Sequence, residues 1–191
     1  MAAQGECAGK KGAFRPPGHI AQDCAHLVFP RQGRYTAQVS STNDHESFMR
    51  LALAEAAYGR TLNEVPIGAV VVADGKVVGA GCNSPISATD PTAHAEINAL
   101  RKAASAMENY RLTGATLYVT VEPCLMCVGA MIHARVGLVV FGAPEPRSGA
   151  LVSAARAHET PGVNHQLTVV GGVLEDECRE VMQEFFKERR E

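Results

Sequence analysis

Residues 115–142, ATLYVTVEPCLMCVGAMIHARVGLVVFG, hold two apolar β-rich segments separated by a helix-forming one. Residues 115–120 predict a buried strand because they are few, apolar and rich in β-branched and aromatic side chains. Pro123 suits the first turn of a helix, which we expect to run to about residue 134. Residues 136–141 predict a further apolar strand. A strand, a helix and a strand in this order favour an α/β fold with a layered sheet.

The flanking segments continue the same mixture of helices and strands. Asp74-Gly75, the favoured pair for a two-residue hairpin, joins predicted strands at residues 67–73 and 76–81. Helices are predicted over residues 43–58, from Asp90-Pro91-Thr92 to about residue 107, and over residues 175–190, with a fifth strand at residues 167–170. We therefore expect an α/β sandwich with helices on both faces of its sheet.

The composition limits the kinds of protein that this chain can be. A length of 191 residues with 46% hydrophobic residues suffices for one domain with a full core. The net charge of -2 excludes a protein that coats nucleic acid by bulk charge, although it permits a local basic groove. The chain has no run of eighteen apolar residues and no secretory signal, so we expect a cytoplasmic protein with no membrane partner. In that reducing compartment, the six cysteines are better explained as thiols or metal ligands than as disulfides.

Residues 1–42 differ in character from the rest of the chain. They hold scattered Gly, Pro, Gln and Ser, five Lys or Arg against two acids, and no sustained apolar period. We expect a disordered N-terminal extension, with the folded domain over residues 43–191. The basic bias is compatible with an organelle-targeting presequence, and an expression tag or a misplaced start codon would look much the same.

Cys124 and Cys127 stand three apart at the start of a predicted helix, and this spacing places both sulfur atoms on one helical face. The positive end of the helix macrodipole favours thiolates there. His94 lies at the start of another predicted helix, in PTAHAEINAL (residues 91–100), and two thiolates with one imidazole make a three-ligand zinc site. A lone histidine is usually a polar residue with a hydrogen bond, and a lone C-x-x-C pair can be redox-active or accidental. The two motifs together are far more specific than either one.

Glu96 stands two residues after His94 and has a different expected role. Three protein ligands leave the fourth tetrahedral position of zinc for water, whose pKa falls from about 15.7 toward ~7. A carboxylate at this place can reach that water and move its proton. The alternative is a solvent-facing acid in the first helical turn, stabilised by the helix dipole. The adjacent zinc motifs favour the proton-transfer role.

The H-x-E element of HAEINAL and the P-C-x-x-C element of EPCLMC resemble the paired signature of the zinc-dependent nucleobase deaminases. The resemblance extends to the tRNA-specific adenosine deaminases through EVPIGAVVV, DPTAHAEINAL, NYRL, ATLYVTVEPCLMC, GAMIHARVGLVVFGA, PGVNH and EFFKERR. It covers about residues 44–190 without an obvious gap. Free cytidine deaminases share the metal motifs but not this whole series.

This resemblance implies a fold, a metal and a reaction. The fold is the cytidine-deaminase-like three-layer sandwich, a five-stranded mixed sheet with zinc between two helix N-termini. One Zn²⁺ per chain is expected on His94, Cys124 and Cys127. Glu96 is expected to take a proton from the zinc-activated water, protonate the purine ring nitrogen, and help the amine at C6 of adenine to leave as ammonia. Members of this family pair as homodimers, so a homodimer is expected here as well.

The resemblance also implies a base pocket. Asn83 matches the family's pocket asparagine and is expected to hydrogen-bond the flipped nucleotide. Pro66, Ile67, Val121 and the backbone around Ala95 are expected to wall the base. The alternative for Ile67 and Val121 is ordinary strand packing, to which we give equal weight.

The expected RNA contacts depart in part from the family pattern. Relatives typically carry an aspartate followed two residues on by a lysine in the loop after the fourth strand, whereas this loop reads PEPRSGA and offers Glu145 and Arg147. Glutamate is longer than aspartate, and two prolines restrict the loop, so fine specificity is expected to shift. Phe185 and Phe186 cannot both face the core equally; one could stack on a loop nucleotide, but packing is the favoured role.

The expected function is hydrolytic deamination of adenosine to inosine at the wobble position of a tRNA anticodon, with an arginine tRNA as the expected substrate. The expected partner is the anticodon stem-loop, and no DNA partner is expected. One alternative is a deaminase of small molecules, such as guanine, cytosine or a pyrimidine precursor, with the same metal chemistry. Another is a non-catalytic RNA-binding module with structural zinc, which needs a fourth protein ligand and gives Glu96 no role.

Overall fold

A five-stranded sheet is the middle layer of the fold in the computed structural model, which describes residues 42–190 and their side chains from residue 44 onward. Its strands are β1 Gly68–Ala73, β2 Lys76–Cys82, β3 Thr116–Val121, β4 Leu138–Ala143 and β5 Thr168–Val170. The spatial order is β2-β1-β3-β4-β5. Strand β1 is antiparallel to both β2 and β3, while β3, β4 and β5 run parallel to one another. The predicted five-stranded mixed sheet is confirmed.

Helices cover both faces of this sheet, as predicted. They are α1 Thr42–Thr61, α2 Ala95–Ala106, α3 Leu125–Ala134 and α4 Glu175–Glu188, with a short 3-10 helix at Ala157–Glu159. Helices α2 and α3 pack on one face, and α1 and α4 pack on the other. Successive residues of β3 serve the two cores, because side chains alternate along a strand: Leu117 and Val119 face α2 and α3, and Tyr118 faces α1.

The hairpin between β1 and β2 has the predicted turn. Asp74 and Gly75 both have positive φ, 49° and 73°, as a type I′ turn requires. Helix α2 packs closely on this hairpin at Gly79, where an added Cβ would lie 2.3 Å from the carbonyl oxygen of Ala99. Only glycine allows the helix to approach this closely, so the hairpin fixes the position of α2.

Two helix starts differ from the prediction. Asp90 does not cap α2: its carboxylate accepts hydrogen bonds from the backbone N–H of Thr92 at 2.8 Å and from the Thr92 hydroxyl at 2.7 Å, which makes a local turn. Helix α2 therefore begins at Ala95, and helix α3 begins at Leu125 rather than at Pro123. The later starts make His94 and Cys124 the N-cap residues of the two helices.

The predicted N-terminal extension falls almost entirely on residues that the structure does not describe, whereas the predictions on disulfides and membrane spans concern described residues as well. Residues 1–41 of the predicted extension lie outside the described residues, and Thr42 is the first residue of α1. The four cysteines in the described part of the chain form no disulfide. No helix within residues 42–190 is long and apolar enough to cross a membrane.

Candidate active site

Two helix N-termini meet at one edge of the sheet. Since β1 is antiparallel to both of its neighbours, β2 and β3 run in the same direction and end at the same edge. Helix α2 follows β2, and helix α3 follows β3. The N-cap residues His94 and Cys124 both have extended backbones, and neither side chain caps its own helix. Both side chains are therefore free of helix-capping bonds and can contact each other.

His94, Cys124 and Cys127 form one compact group of possible metal ligands. The two sulfur atoms lie 3.7 Å apart, and the His94 Nδ1 lies 3.7 Å from the Cys124 sulfur and 3.6 Å from the Cys127 sulfur. Tetrahedral zinc with ordinary bond lengths separates two sulfur ligands by ~3.8 Å and a sulfur from a nitrogen by ~3.6 Å. The spacing of the three residues therefore fits zinc.

The same three side chains strongly perturb one another. Hydrogen bonds from Cys127 and His94 lower the pKa of the Cys124 thiol to about 3, while the hydrogen bond to Cys124 and burial raise the pKa of Cys127. The hydrogen bond with Cys124 also raises the pKa of His94, against the effect of burial. The contacts thus favour the ionised form of Cys124 and the protonated form of Cys127, and a metal that took both sulfur atoms as ligands would displace the remaining proton.

Glu96 lies in the first turn of α2 and is only 4% exposed. Burial is the main cause that raises the pKa of its carboxyl group, and the charge of Cys124 adds to this effect. The carboxyl group also shares a hydrogen bond with Cys127. The alternative of a solvent-facing acid is therefore wrong, because the side chain is buried beside the ligand group. A buried carboxyl group with a raised pKa is suited to accept and return a proton.

Asn83 connects the end of β2 to the start of α2. Its side-chain oxygen accepts a hydrogen bond of 2.8 Å from the backbone N–H of Ala95, and its side chain is buried. This bond satisfies one free donor at the helix N-terminus. Asn83 is therefore tied to Ala95, the first residue of α2, which precedes Glu96 in the chain.

The other predicted pocket residues lie around the same edge. Pro66 is buried just before β1, and Val121 is buried at the end of β3. Ile67 is half-buried and packs against the core under α2 and α3. This contact supports the packing alternative for Ile67. Val121 lies three residues before Cys124 in the chain.

The loop after β4 holds both predicted RNA contacts. The Glu145 carboxylate is half-buried and accepts a hydrogen bond of 2.9 Å from the backbone N–H of Arg147, so it stabilises its own turn. The Arg147 side chain is exposed. Of the two residues, Arg147 is the one whose side chain is presented to solvent.

Sequence reasoning missed three polar residues that shape this edge. Glu122 accepts several backbone hydrogen bonds from the loop after β4, and Glu64 accepts one of 2.7 Å from the backbone N–H of Ser87. The Asn98 amide donates to the carbonyl oxygen of Cys82 at 2.8 Å and to the hydroxyl of Ser84 at 2.9 Å. The available signal was an acid next to apolar strand residues, in NEVPIG and TVEPC. Such acids are rarely buried unless they have partners.

The hydrogen bonds of Glu122 also affect its ionisation. Burial alone would raise the pKa of this carboxyl group, but the hydrogen bonds from Ser153, Val152 and Glu145 together outweigh burial and lower it. Hydrogen bonds thus favour the ionised form of the Glu122 carboxyl group, whereas burial disfavours the ionised form of Glu96.

Two C-terminal features of the sequence, the phenylalanine pair of α4 and the PGVNH turn, make contacts within the fold. Phe185 is buried, with the Arg189 guanidinium 4.1 Å from its ring centroid, whereas Phe186 is 46% exposed. In the PGVNH turn, Asn164 accepts a hydrogen bond of 2.6 Å from Arg135, and His165 contacts the carbonyl oxygen of Val136 at 2.6 Å. The turn is therefore fastened at the end of α3, the opposite end from Cys124.

Comparison with known proteins places the chain in a family. A family model for the zinc-binding region of cytidine and deoxycytidylate deaminases matches residues 42–143. A tRNA-specific adenosine deaminase of Haemophilus influenzae is 47% identical over 156 residues, which are 81% of this chain and 90% of that protein.

Solved structures give the same picture. One, from work on A-to-I editing by tRNA:A34 deaminases at the wobble position of transfer RNA, has a TM-score of 0.69 and 44% identity, covering 71% of this chain and 98% of that one. A guanine deaminase from Bacillus subtilis has a TM-score of 0.51 and 33% identity, covering 65% of this chain and 82% of that one. The chain therefore belongs to the cytidine and deoxycytidylate deaminase family and, within it, to the group of tRNA-specific adenosine deaminases.

Proposed function

We propose that the protein hydrolyses adenosine to inosine at the wobble position of a tRNA anticodon, and that an arginine tRNA is its substrate. The observation that carries the proposal is the His94, Cys124 and Cys127 group beside the buried carboxyl of Glu96. The similarity to tRNA-specific adenosine deaminases over most of the chain supports the choice of substrate. The resemblance and the donor set support one zinc ion per chain.

The chemistry divides between the metal and the protein. Bound zinc would supply the Lewis acidity that makes a water molecule nucleophilic near neutral pH. Glu96 would take one proton from that water as its oxygen bonds to C6, and would deliver this proton to the purine ring nitrogen. It would then take the second proton from the new hydroxyl group at C6 and deliver it to the amine, whose bond to C6 breaks to release ammonia. Adenosine and water thus become inosine and ammonia, and the carboxyl group ends in its starting state.

The walls of the pocket would hold the base in place. The oxygen of Asn83 is bound to the backbone N–H of Ala95, so the amide nitrogen would donate to an acceptor of the flipped nucleotide. Pro66, Ile67, Val121 and the backbone of Ala95 would surround the base. A base must leave its stack to reach this edge, and unpaired loop bases cost the least to extrude.

Recognition of RNA would be local, because the net charge of -2 gives no general attraction for phosphates. The exposed Arg147 would contact the substrate backbone, and the half-buried Glu145 would order its turn. We propose the anticodon stem-loop as the partner, a homodimer as the assembly and the cytoplasm as the location, with no DNA substrate.

A panel of four substrates tests the proposed function. The metal-loaded protein is incubated with an arginine anticodon hairpin, the same hairpin with cytidine at the wobble position, free adenosine and free guanine, and the products are identified by mass. We expect inosine in the first hairpin, no conversion of the cytidine hairpin, little reaction of free adenosine or guanine, and activity that falls with added salt. Efficient conversion of free guanine or adenosine with the adenosine hairpin untouched would support the small-molecule alternative instead.

We also propose that residues 43–191 form the whole catalytic domain. The proposed site residues lie between Pro66 and Arg147, inside the region matched by the relatives. A protein that lacks residues 1–42 should keep its turnover of the wobble-adenosine hairpin within about twofold of the full chain. A folded but inactive truncated protein would show that the first 42 residues contribute to the site.

A further inference from the structure

The buried carboxylate of Glu122 is the main anchor of the loop after β4, residues 144–153. One carboxylate oxygen accepts hydrogen bonds from the backbone N–H groups of Leu151 at 3.1 Å, Val152 at 2.7 Å and Ser153 at 2.9 Å. The other accepts from the backbone N–H of Glu145 at 3.1 Å and from the Ser153 hydroxyl. Five donors from both ends of the loop therefore converge on one side chain that is 3% exposed.

The segment that begins at Glu122 also joins this loop to the proposed metal ligands. The carbonyl oxygen of Pro123 accepts a hydrogen bond of 2.8 Å from the backbone N–H of Ala150, and Cys124 pairs with Gly149 in an antiparallel bridge. A Cβ added at Gly149 would lie 2.4 Å from the carboxyl carbon of Glu122, so the loop closes directly over this side chain. The loop and the start of α3 are thus one connected unit.

A short relay of hydrogen bonds leads from Glu122 to the exposed arginine. Glu122 binds the backbone N–H of Glu145, and the Glu145 carboxylate binds the backbone N–H of Arg147. The Arg147 side chain itself extends into solvent. The backbone that carries Arg147 is therefore fixed at its base by Glu122.

We propose that Glu122 is a positioning residue, which holds the loop of residues 144–153 so that Arg147 meets the backbone of the RNA substrate. The inference rests on the proposed function, because it needs an RNA that Arg147 contacts. Glu122 itself touches neither the substrate nor the metal in this role. It acts by setting where a binding side chain stands relative to Cys124 and the pocket.

The substitution Glu122→Gln tests this role with little change of shape. It replaces one oxygen acceptor by an NH₂ group that faces backbone N–H donors, so at least one anchor of the loop is lost. With the wobble-adenosine hairpin, we expect KM to rise about tenfold and kcat to stay within about threefold, with zinc content unchanged. The matched control is Glu180→Gln, which removes an exposed acid from α4 and should leave KM unchanged.

A double-mutant cycle separates positioning from a general loss of structure. If Glu122 acts through Arg147, then Glu122→Gln should raise KM by less than about twofold in a protein that already carries Arg147→Ala. An unchanged KM in Glu122→Gln, or effects of the two substitutions that simply multiply, would overturn the inference.

Hydrogen exchange of the free protein tests the anchoring without any substrate. In Glu122→Gln, the backbone amides of Glu145, Leu151, Val152 and Ser153 should exchange faster than in the wild type or in Glu180→Gln. If the wild type converts no hairpin, the proposed function fails while this exchange result still reports on the anchor. Should Glu122→Gln not fold, Ser153→Ala removes one donor and keeps the carboxylate; it should give the same changes in smaller measure, and unchanged exchange and KM would refute the role.

Discussion

The two faces of the sheet are covered by similar helices but bury different chemistry. The face covered by α2 and α3 holds the buried Glu96 and Cys127 and the half-buried Cys124 and His94. Under α1 and α4, the core includes Met49, Val70 and Tyr118, and ion pairs such as Arg50 with Glu177 lie at its solvent edge. The first pair of helices begins where two parallel strands end, so its free N–H groups and positive dipole ends meet. Reactive groups are concentrated where helix N-termini converge, and the other face serves stability.

Two buried cysteines on opposite faces give the sharpest contrast. Cys127 is 0% exposed beside His94, and Cys178 is 1% exposed beneath α4. Cys127→Ala should lose zinc and with it all measurable deamination, because two ligands hold zinc far less tightly than three. Cys178→Ala should retain both zinc and activity. Metal analysis and inosine formation on the same preparations check this pair, and full zinc in Cys127→Ala would show that the assigned site is wrong.

The hydroxyl group of Tyr118, in the core under α1 and α4, should make the free energy of unfolding depend on pH without affecting catalysis. It hydrogen-bonds His45 Nδ1 at 2.9 Å, and burial, with the charge of Asp44, raises its pKa to about 12 from an ordinary value of 10.0. Between pH 10 and 12 the unfolded chain releases this proton while the folded chain keeps it, so the stability is present below pH 10 and falls as pH rises.

Denaturant unfolding at several pH values measures this effect. The free energy of unfolding should fall more steeply between pH 10 and 12 in the wild type than in Tyr118→Phe, and inosine formation at neutral pH should be the same in both. The exposed Tyr110 supplies the control, since Tyr110→Phe should retain the wild-type slope. Equal slopes in all three proteins would mean that Tyr118 is not the group that titrates.

The ion pair between α1 and α4 should give the smallest effect. Arg50 and Glu177 lie 2.8 Å apart, but both side chains are about half exposed, at 56% and 47%. Exposed pairs contribute less than about 1 kcal/mol to folding and are weakened by salt. Arg50→Gln should therefore lower the free energy of unfolding by less than about 1 kcal/mol and leave activity unchanged. A loss of zinc or activity in this variant would contradict the separation of the two faces.

Much of the fold could be predicted from local patterns. The strand, helix and strand over residues 115–142, the hairpin turn at Asp74-Gly75 and the helices on both faces all follow from periodicity and turn chemistry. The contact between His94 and the two cysteines was predicted because two motifs on separate helices together supply a zinc ligand set. The preference of zinc for thiolate and imidazole ligands thus predicted a contact between distant parts of the chain, which hydrophobic periodicity alone cannot predict.

Other features could not be predicted because they depend on distant partners. The pattern at Asp90-Pro91-Thr92 fits a helix start, but the Asp90 side chain forms a turn with Thr92, and α2 begins only at Ala95. The role of Glu122 depends on backbone groups that follow it by 23 to 31 residues, which no local pattern reveals. Asn83 was expected to bind substrate, which stays a prediction, and the hydrogen bond that it accepts from Ala95 was not foreseen.

The rate of the Glu96→Gln protein, loaded with zinc, tests most directly that the converging helix N-termini form a hydrolytic site. The amide preserves the shape of the side chain but cannot carry the proton from water to the leaving amine. With the wobble-adenosine hairpin in excess, inosine formation should fall by at least ~10²–10⁴ relative to the wild type, while zinc content and hairpin affinity stay the same. A zinc-loaded Glu96→Gln protein that forms inosine at a near-normal rate would contradict the proton-transfer role of Glu96 and the mechanism that depends on it.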